Sequence, residues 1–462
     1  MAIICNLVLL ASALPAGAAS PDAGAQAAMA WLRATAAPIA TTSPDADTED
    51  LQPLAAALGD ARVVAFGEAT HGSHEVFQLK DRLFRYLVTD HGFTAFVIEA
   101  NYAEADRIDA YVKGGPGDAE ALVGGMGFWT WDTEEVLALV RWIRAYNDQH
   151  ERKVSFYGMD MQFAPSNLDI AFDFLDTVDL PDRPARAPYE AYMGGARTTG
   201  EGYRLLGSYP PDTRRELKTD ALRLFQYFEV HRAALIESGG EIAYLSARSA
   251  ALAAAWYFTM EVSDINRRFS GLPLDFDVRD RAMADLVRAA LEREGEEGRV
   301  FVWAHNSHVS RARHVDERLT MGHFLSQDLG DDFVGVGFAF DRGTFQAFPP
   351  RDPALPEFQP RLSEMRVPSA PPDHSEAVLR EGPAPIYAVD LRRLIPGTPA
   401  HGWFLSRRQL RWTGANYSIE LMAKHPPISL AESYDLLIFA RDSTRARPNP
   451  ATRAVQGIEV TW

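Results

Sequence analysis

Short apolar runs and longer stretches of helical spacing alternate through the first third of the chain. The runs Ala61–Phe66, Phe93–Ile98 and Val154–Gly158 are too short for buried helices and read as buried strands. Between them, Glu75–Val88 places Val76, Leu79, Leu83 and Leu87 on one face of a helix, Ala103–Val112 forms another, and Glu134–Tyr146 turns Val136, Leu139, Val140 and Ile143 inward. This βαβ rhythm predicts an α/β fold, a mostly parallel sheet flanked by helices. Strand signals then vanish from about residue 166, where helical patterns over Arg214–Ser238, Glu241–Asn266 and Val278–Glu294 predict an α-helical insertion. They return at Arg299–Trp303 and Phe333–Phe340. A proline-rich excursion over 349–385 and short strands at Ile386–Val389, Leu410–Trp412 and Leu436–Phe439 predict a smaller C-terminal α+β part. The expected divisions are a leader (1–19), an N-terminal helix and linker (20–50), the first part of the α/β core (51–165), the insertion (166–295), the second part of the core (296–345) and the C-terminal part (346–462).

The candidate chemistry sits at the C-terminal ends of these strands. The first runs into Gly67-Glu68-Ala69-Thr70-His71-Gly72-Ser73-His74-Glu75, the second into Glu99, the third into Asp160, and the fourth into His305-Asn306-Ser307-His308. Parallel strands bring their C-terminal ends to one rim, where open α/β sheets place ligands. Carboxylates and imidazoles gathered there exchange protons near neutral pH. Each residue also has a plainer alternative: Glu68 as a helix cap, His71 as a turn histidine, Glu99 and Asp160 as partners of buried cations, and His308, His74 and Glu75 as solvated positions. Other templates fail, because the chain has no Gly-x-Ser-x-Gly elbow, no phosphate loop, no dinucleotide turn and no His-Glu-x-x-His. Phe128-Trp129-Thr130-Trp131 and Tyr102 are candidates to line an apolar cleft, with core packing the competing role for at least one tryptophan.

Composition narrows the partners. The 462 residues are 47% hydrophobic with a formal net charge of −17, which suits a globular protein and disfavours nucleic acid and anionic membranes. Residues 3–14 are mostly apolar and Ala16-Gly17-Ala18 fits a small-x-small cleavage site, so a signal peptide and a periplasmic or secreted location are expected, although no Lys or Arg precedes the run. The single cysteine, Cys5, falls inside that leader, which leaves no thiol for a disulfide, a metal or a nucleophile. No later apolar run is long enough to span a bilayer.

The segments Gly67–Glu75, Phe96-Val97-Ile98-Glu99-Ala100 and Trp303–His308 together resemble the erythromycin esterase family. Tyr157-Gly158-Met159-Asp160, Arg279–Ala284 and Tyr434–Phe439 add to the likeness, in the family's order and over roughly residues 55–440. The resemblance implies hydrolysis of a macrolide lactone ester without a metal, and no cofactor. It places Glu68, His71, Glu99 and His305 at the active centre, with Arg279 supplying positive charge. The family also holds many members of unknown substrate, some labelled as polysaccharide-biosynthesis proteins, and a leader departs from its cytoplasmic resistance enzymes.

The expected mechanism is direct attack by water on a small-molecule ester. His71 is the base acting on a water near Glu68, Glu99 orients His71 or that water, and His305 with Arg279 meets the oxyanion or leaving alkoxide. His308, Tyr102, Trp129, Trp131 and Asp160 are the expected substrate contacts. Two alternatives stay open: a metal-dependent hydrolase on the same Glu/His rim, and a secreted binding protein without catalysis. Oligomeric state is not legible in the sequence.

Overall fold

Alternation along each central strand divides its side chains between two cores. The computed structural model describes residues 22–270, 276–313, 318–349 and 362–450, so the expected leader and Cys5 lie outside the described residues. Among these residues there are nine strands: β1 (Ala37–Pro38), β2 (Val63–Phe66), β3 (Ala95–Asn101), β4 (Ser155–Asp160), β5 (Val300–Trp303), β6 (Phe333–Ala347), β7 (Ser363–Val367), β8 (Ile386–Asp390) and β9 (Leu436–Ser443). They form one sheet in the order β1-β8-β9-β6-β2-β5-β3-β4, with β7 paired to β6. The run from β9 to β4 is parallel, while β8, β1 and β7 are antiparallel additions.

Val63, Ala65, Val97, Val300 and Val302 face the helices that lie between β4 and β5. Their neighbours Val64, Phe66, Phe96, Ile98, Phe301 and Trp303 face the helices His74–His91, Tyr102–Val112 and Glu134–Gln149. Period-two alternation with both faces covered explains why these strands are apolar throughout. On the second face, Phe66 stacks on Phe301 at 4.3 Å between ring centroids, and Phe96 stacks on Phe301 at 5.5 Å and on Phe156 at 5.4 Å. Offset aromatic contacts of this kind each add about 0.5–1.5 kcal/mol beyond the area they bury.

The described chain between β4 and β5 is helical, and its apolar face shares one continuous core with the sheet. The single helix expected over Arg214–Ser238 is two, Pro211–Val230 and Arg232–Gly239, because His231 leaves helical geometry at φ −100° and ψ 18°. The C-terminal strands complete the same sheet. Strand β7, which the prolines around it concealed, pairs with the far half of β6. The strand expected at Leu410–Trp412 is instead extended chain with isolated bridges on either side, Gln409 to His374 and Thr413 to Thr70. Among the described residues no helix is long and apolar enough to cross a membrane.

Candidate active site

The turn after β2 is held by backbone bonds from distant segments. Gly67 N–H donates to Val336 O at 2.8 Å, Asn306 N–H to Glu68 O at 2.9 Å, Thr413 N–H to Ala69 O at 2.6 Å, and Ala446 N–H to Gly72 O at 2.8 Å. Two glycines make room for this. A Cβ at Gly67 would overlap the Asn306 amide, and one at Gly72 would overlap the backbone of Gln346. Ser73 then caps the helix His74–His91, its Oγ accepting from Val76 N–H at 3.4 Å. Glu68 is therefore not the cap.

Glu68 is fully buried behind His71, and its Oε1 lies 2.6 Å from His71 Nδ1. A carboxylate can only accept, so Nδ1 carries a proton; Nε2, for which the described residues offer no hydrogen-bond partner, is the nitrogen that would hold the lone pair of the neutral ring. The other carboxylate oxygen accepts from Lys80 Nζ at 3.1 Å and from Trp303 Nε1–H at 2.6 Å. Burial drives the Lys80 ammonium down to about 8, a fall that the charge of Glu68 limits.

His305 faces His71 with 5.0 Å between ring centroids and lies parallel to the Trp412 indole at 5.9 Å. Its Nδ1 accepts from Ser307 N–H at 3.2 Å. Burial, reinforced by His71, holds its pKa well below the ordinary histidine value. The ring is thus neutral with its proton on Nε2, and that nitrogen has no partner among the described residues. A buried, unpaired N–H beside a base is a donor awaiting an acceptor.

Behind these two rings lies a charged network. Arg279 donates to Asp160 through Nε at 3.2 Å and Nη2 at 2.7 Å, and to Glu99 Oε1 at 2.8 Å. Glu99 Oε2 accepts from His305 N–H at 2.9 Å. His308 lies between Asp280 Oδ1, 2.8 Å from Nδ1, and Glu99 Oε1, 3.3 Å from Nε2. Burial alone would lower His308, but the two carboxylates outweigh it and raise the pKa to about 10. With both nitrogens protonated, the 3.1 Å approach of Arg279 Nη1 to Nε2 joins two donors that share Glu99. Burial would raise Glu99, yet His308 and Arg279 hold it well below the usual carboxylate range.

The cleft above has a volume of about 510 Å³. His71, Glu99, Asp160, Arg279, His305 and His308 line it together with Trp129, Trp131 and Trp412. Among the described residues no three His, Cys, Asp or Glu side chains form a group suited to a metal ion.

A family model described as erythromycin esterase matches residues 88–443, most of the chain. The chain belongs to the erythromycin esterase family. Membership places it among hydrolases. It is 28% identical over 337 residues to an erythromycin esterase type II of Escherichia coli, covering 69% of this chain and 78% of that one. Its fold is similar to that of a Bacillus cereus protein of solved structure, with a TM-score of 0.79 at 23% identity over 92% of this chain and 99% of the other. It is also similar to a mutant of the erythromycin esterase EreC in its open conformation, with a TM-score of 0.69 at 16% identity over 87% and 96% of the two chains. The family match begins after the turn that carries Glu68 and His71.

The structure departs from the sequence expectations at several side chains. Glu68 is not on the cleft wall and cannot hold a water there, because His71, Lys80 and Trp303 take its oxygens. The residue that orients His71 is Glu68, whereas Glu99 serves Arg279, His308 and the His305 backbone. Arg279 is not a free positive charge, since two carboxylates neutralise it. Trp131 lines the cleft yet ties its indole N–H to Glu99 O at 2.7 Å, a scaffold contact. Tyr102 is not among the lining residues. It is buried in the core, where its hydroxyl accepts from Arg293 at 2.7 Å. Tyr102→Phe should leave kcat and KM of hydrolysis unchanged while lowering urea stability by about 1.5–3 kcal/mol, the usual loss of a hydrogen bond to a charged group, since the hydroxyl accepts from Arg293 and also donates to Ser246 O at 3.2 Å. A raised KM would return Tyr102 to the substrate site. His74 and Glu75 are not merely solvated: His74 Nδ1 meets Glu135 at 2.5 Å, and Glu75 accepts from Thr444 N–H at 2.6 Å.

Lys80, Asp280 and Trp412 escaped the sequence reading. Lys80 sits one residue after Leu79 on the helix's inward face, and a cation at a core position was the available signal. Asp280 adjoins Arg279 within the family-like motif Arg279–Ala284. Trp412 gave no signal beyond the short strand expected at Leu410–Trp412.

Proposed function

We propose that this protein hydrolyses a carboxylic ester of a small molecule by direct attack of water, with a macrolide lactone as one candidate substrate. One observation carries the reading: a Glu68–His71 pair whose Nε2 has no partner among the described residues, beside the unpaired Nε2–H of a neutral His305. In this mechanism His71 Nε2 removes a proton from water as the water oxygen bonds to the ester carbonyl carbon. Glu68 stabilises the imidazolium that forms. The carbonyl oxygen becomes an oxyanion and accepts from His305 Nε2–H, a type of contact whose removal commonly lowers kcat by ~10²–10³. Collapse breaks the bond to the alkoxide, which takes the proton back from His71, and acid and alcohol leave. Trp129 and Trp412 supply apolar walls for the substrate.

The test is mass spectrometry of purified, chelator-treated protein with a panel of macrolides and simpler esters. A lactone should give one product of substrate plus one water, and an acyclic ester an acid and an alcohol whose masses together equal that sum, at the same rate before and after chelation. Activity lost on chelation and restored by zinc or manganese would favour metal-dependent hydrolysis instead. Tight binding without hydrolysis across the panel would overturn the enzymatic reading.

A further inference from the structure

We propose that Lys80 is an electrostatic counterweight that sets the proton affinity of His71 through Glu68. The inference rests on the reading of His71 as the base. Lys80 is a positioning residue here, because it touches Glu68 and not the substrate.

The internal comparison is His308. Each histidine has a carboxylate within hydrogen-bonding distance of Nδ1, Glu68 at 2.6 Å for His71 and Asp280 at 2.8 Å for His308. His308 also faces Glu99, and its pKa rises to about 10, so it is an imidazolium throughout the physiological range and has no lone pair to offer. A buried carboxylate alone would drive His71 the same way. Two things differ: His71 has one carboxylate where His308 has two, and the cation on the carboxylate of His71 is Lys80, where Arg279 stands on Glu99. Lys80 Nζ meets Glu68 3.1 Å away, on the oxygen opposite His71.

Hydrogen bonding alone does not account for this lysine. Trp303 Nε1–H already donates to the same oxygen at 2.6 Å. A neutral donor satisfies a carboxylate without the large desolvation penalty that a wholly buried ammonium carries. Lys80 stands 4.4 Å from the centroid of the Trp303 ring and 5.5 Å from that of Phe338, aromatic faces that favour a cation. What the ammonium adds to Trp303 is charge. The other ionisable groups facing His71 are His305 across the cleft, at 5.0 Å between ring centroids, and Glu99, which is engaged with Arg279 and His308. Lys80 is the cation bonded directly to the carboxylate that His71 uses.

The test titrates the His71 ring by NMR in the full-length protein labelled at histidine nitrogen, with the His71→Asn spectrum for assignment. In Lys80→Met the ring should titrate about 1 pH unit or more above wild type, because a like charge on the shared carboxylate disfavours the imidazolium and its removal restores the full pull of Glu68. Lys80→Arg, which keeps the charge, should return it to within half of that displacement. If Lys80→Met does not fold, Lys80→Gln makes the same comparison with a neutral donor in place. An unmoved midpoint in the neutral variant, or an equal displacement in Lys80→Arg, would overturn the proposal. The two readings separate cleanly, since this titration needs no substrate. A displaced midpoint with full hydrolysis by His71→Asn upholds the counterweight and removes His71 as base.

Discussion

Replacing His71 by asparagine will lower kcat/KM for a hydrolysed ester by ~10²–10⁴, the range typical of a lost general base. Asparagine keeps a donor for Glu68 but has no basic nitrogen to hold a proton, so the contact at 2.6 Å has a replacement while the chemistry does not. The fold should survive, because the ring sits on the cleft wall with its Nε2 unbonded. Urea unfolding of wild type and variant should give midpoints that differ little, which separates lost chemistry from lost structure. Hydrolysis within a few fold of wild type would remove His71 from the mechanism. Its partner Glu68 predicts a different outcome. Glu68→Gln leaves Lys80 buried without its counter-charge, so stability and activity should fall together.

The second large effect concerns stability. Arg279→Met should destabilise the fold by ~3–5 kcal/mol, the usual result of removing one partner from a buried ion cluster. Its guanidinium holds Asp160 and Glu99 at once, and both carboxylates are buried. Methionine fills similar volume but leaves two charges facing each other. Urea denaturation at several pH values checks both the size and the cause. Glu99 is depressed below its ordinary 4.5, so its stabilisation is present above that value and is lost as pH falls through the folded one. His308 is raised from 6.5 to about 10, so its stabilisation is complete below 6.5 and is lost as pH climbs toward 10. The cluster therefore contributes most between 4.5 and 6.5. Wild-type stability should decline on both sides of that window. Arg279→Met should lose its acid-side slope first, since protonating Glu99 relieves the unpaired charge. A variant as stable as wild type at pH 6 would show that the cluster is not the structural support its geometry suggests.

The alternation of short apolar runs with helical spacing was enough to read a mostly parallel sheet, the helical segment between β4 and β5, and the return of strands afterwards. A strand buried on both faces admits few polar residues, so its pattern is written locally. The same local rule made the C-terminal strand ends visible as places where Glu68, Glu99, Asp160 and His305 stand next to one another in space though far apart in sequence. Where the pattern is not local, the reading failed. Strand β7 is an edge whose partner lies in the second half of β6, and a short edge strand carries little apolar signature of its own.

Side-chain partners were the other gap. The residue types on the rim were legible in the sequence; which carboxylate serves which imidazole was not. That choice turns on distances of an ångström or two between strands, and it gave His71 to Glu68 and His308 to Asp280 and Glu99. Lys80 and Tyr102 are the same lesson in opposite directions. A helical lysine enters the core because a buried carboxylate is there to receive it, and a tyrosine near the rim in sequence turns inward because Arg293 waits for its hydroxyl. Periodicity is a property of consecutive residues and survives without the fold. Pairing of buried charges is settled by where side chains point once packed, whether the partners are 3 residues apart, as Glu68 and His71, or 180 apart, as Glu99 and Arg279, and only the packed molecule decides it.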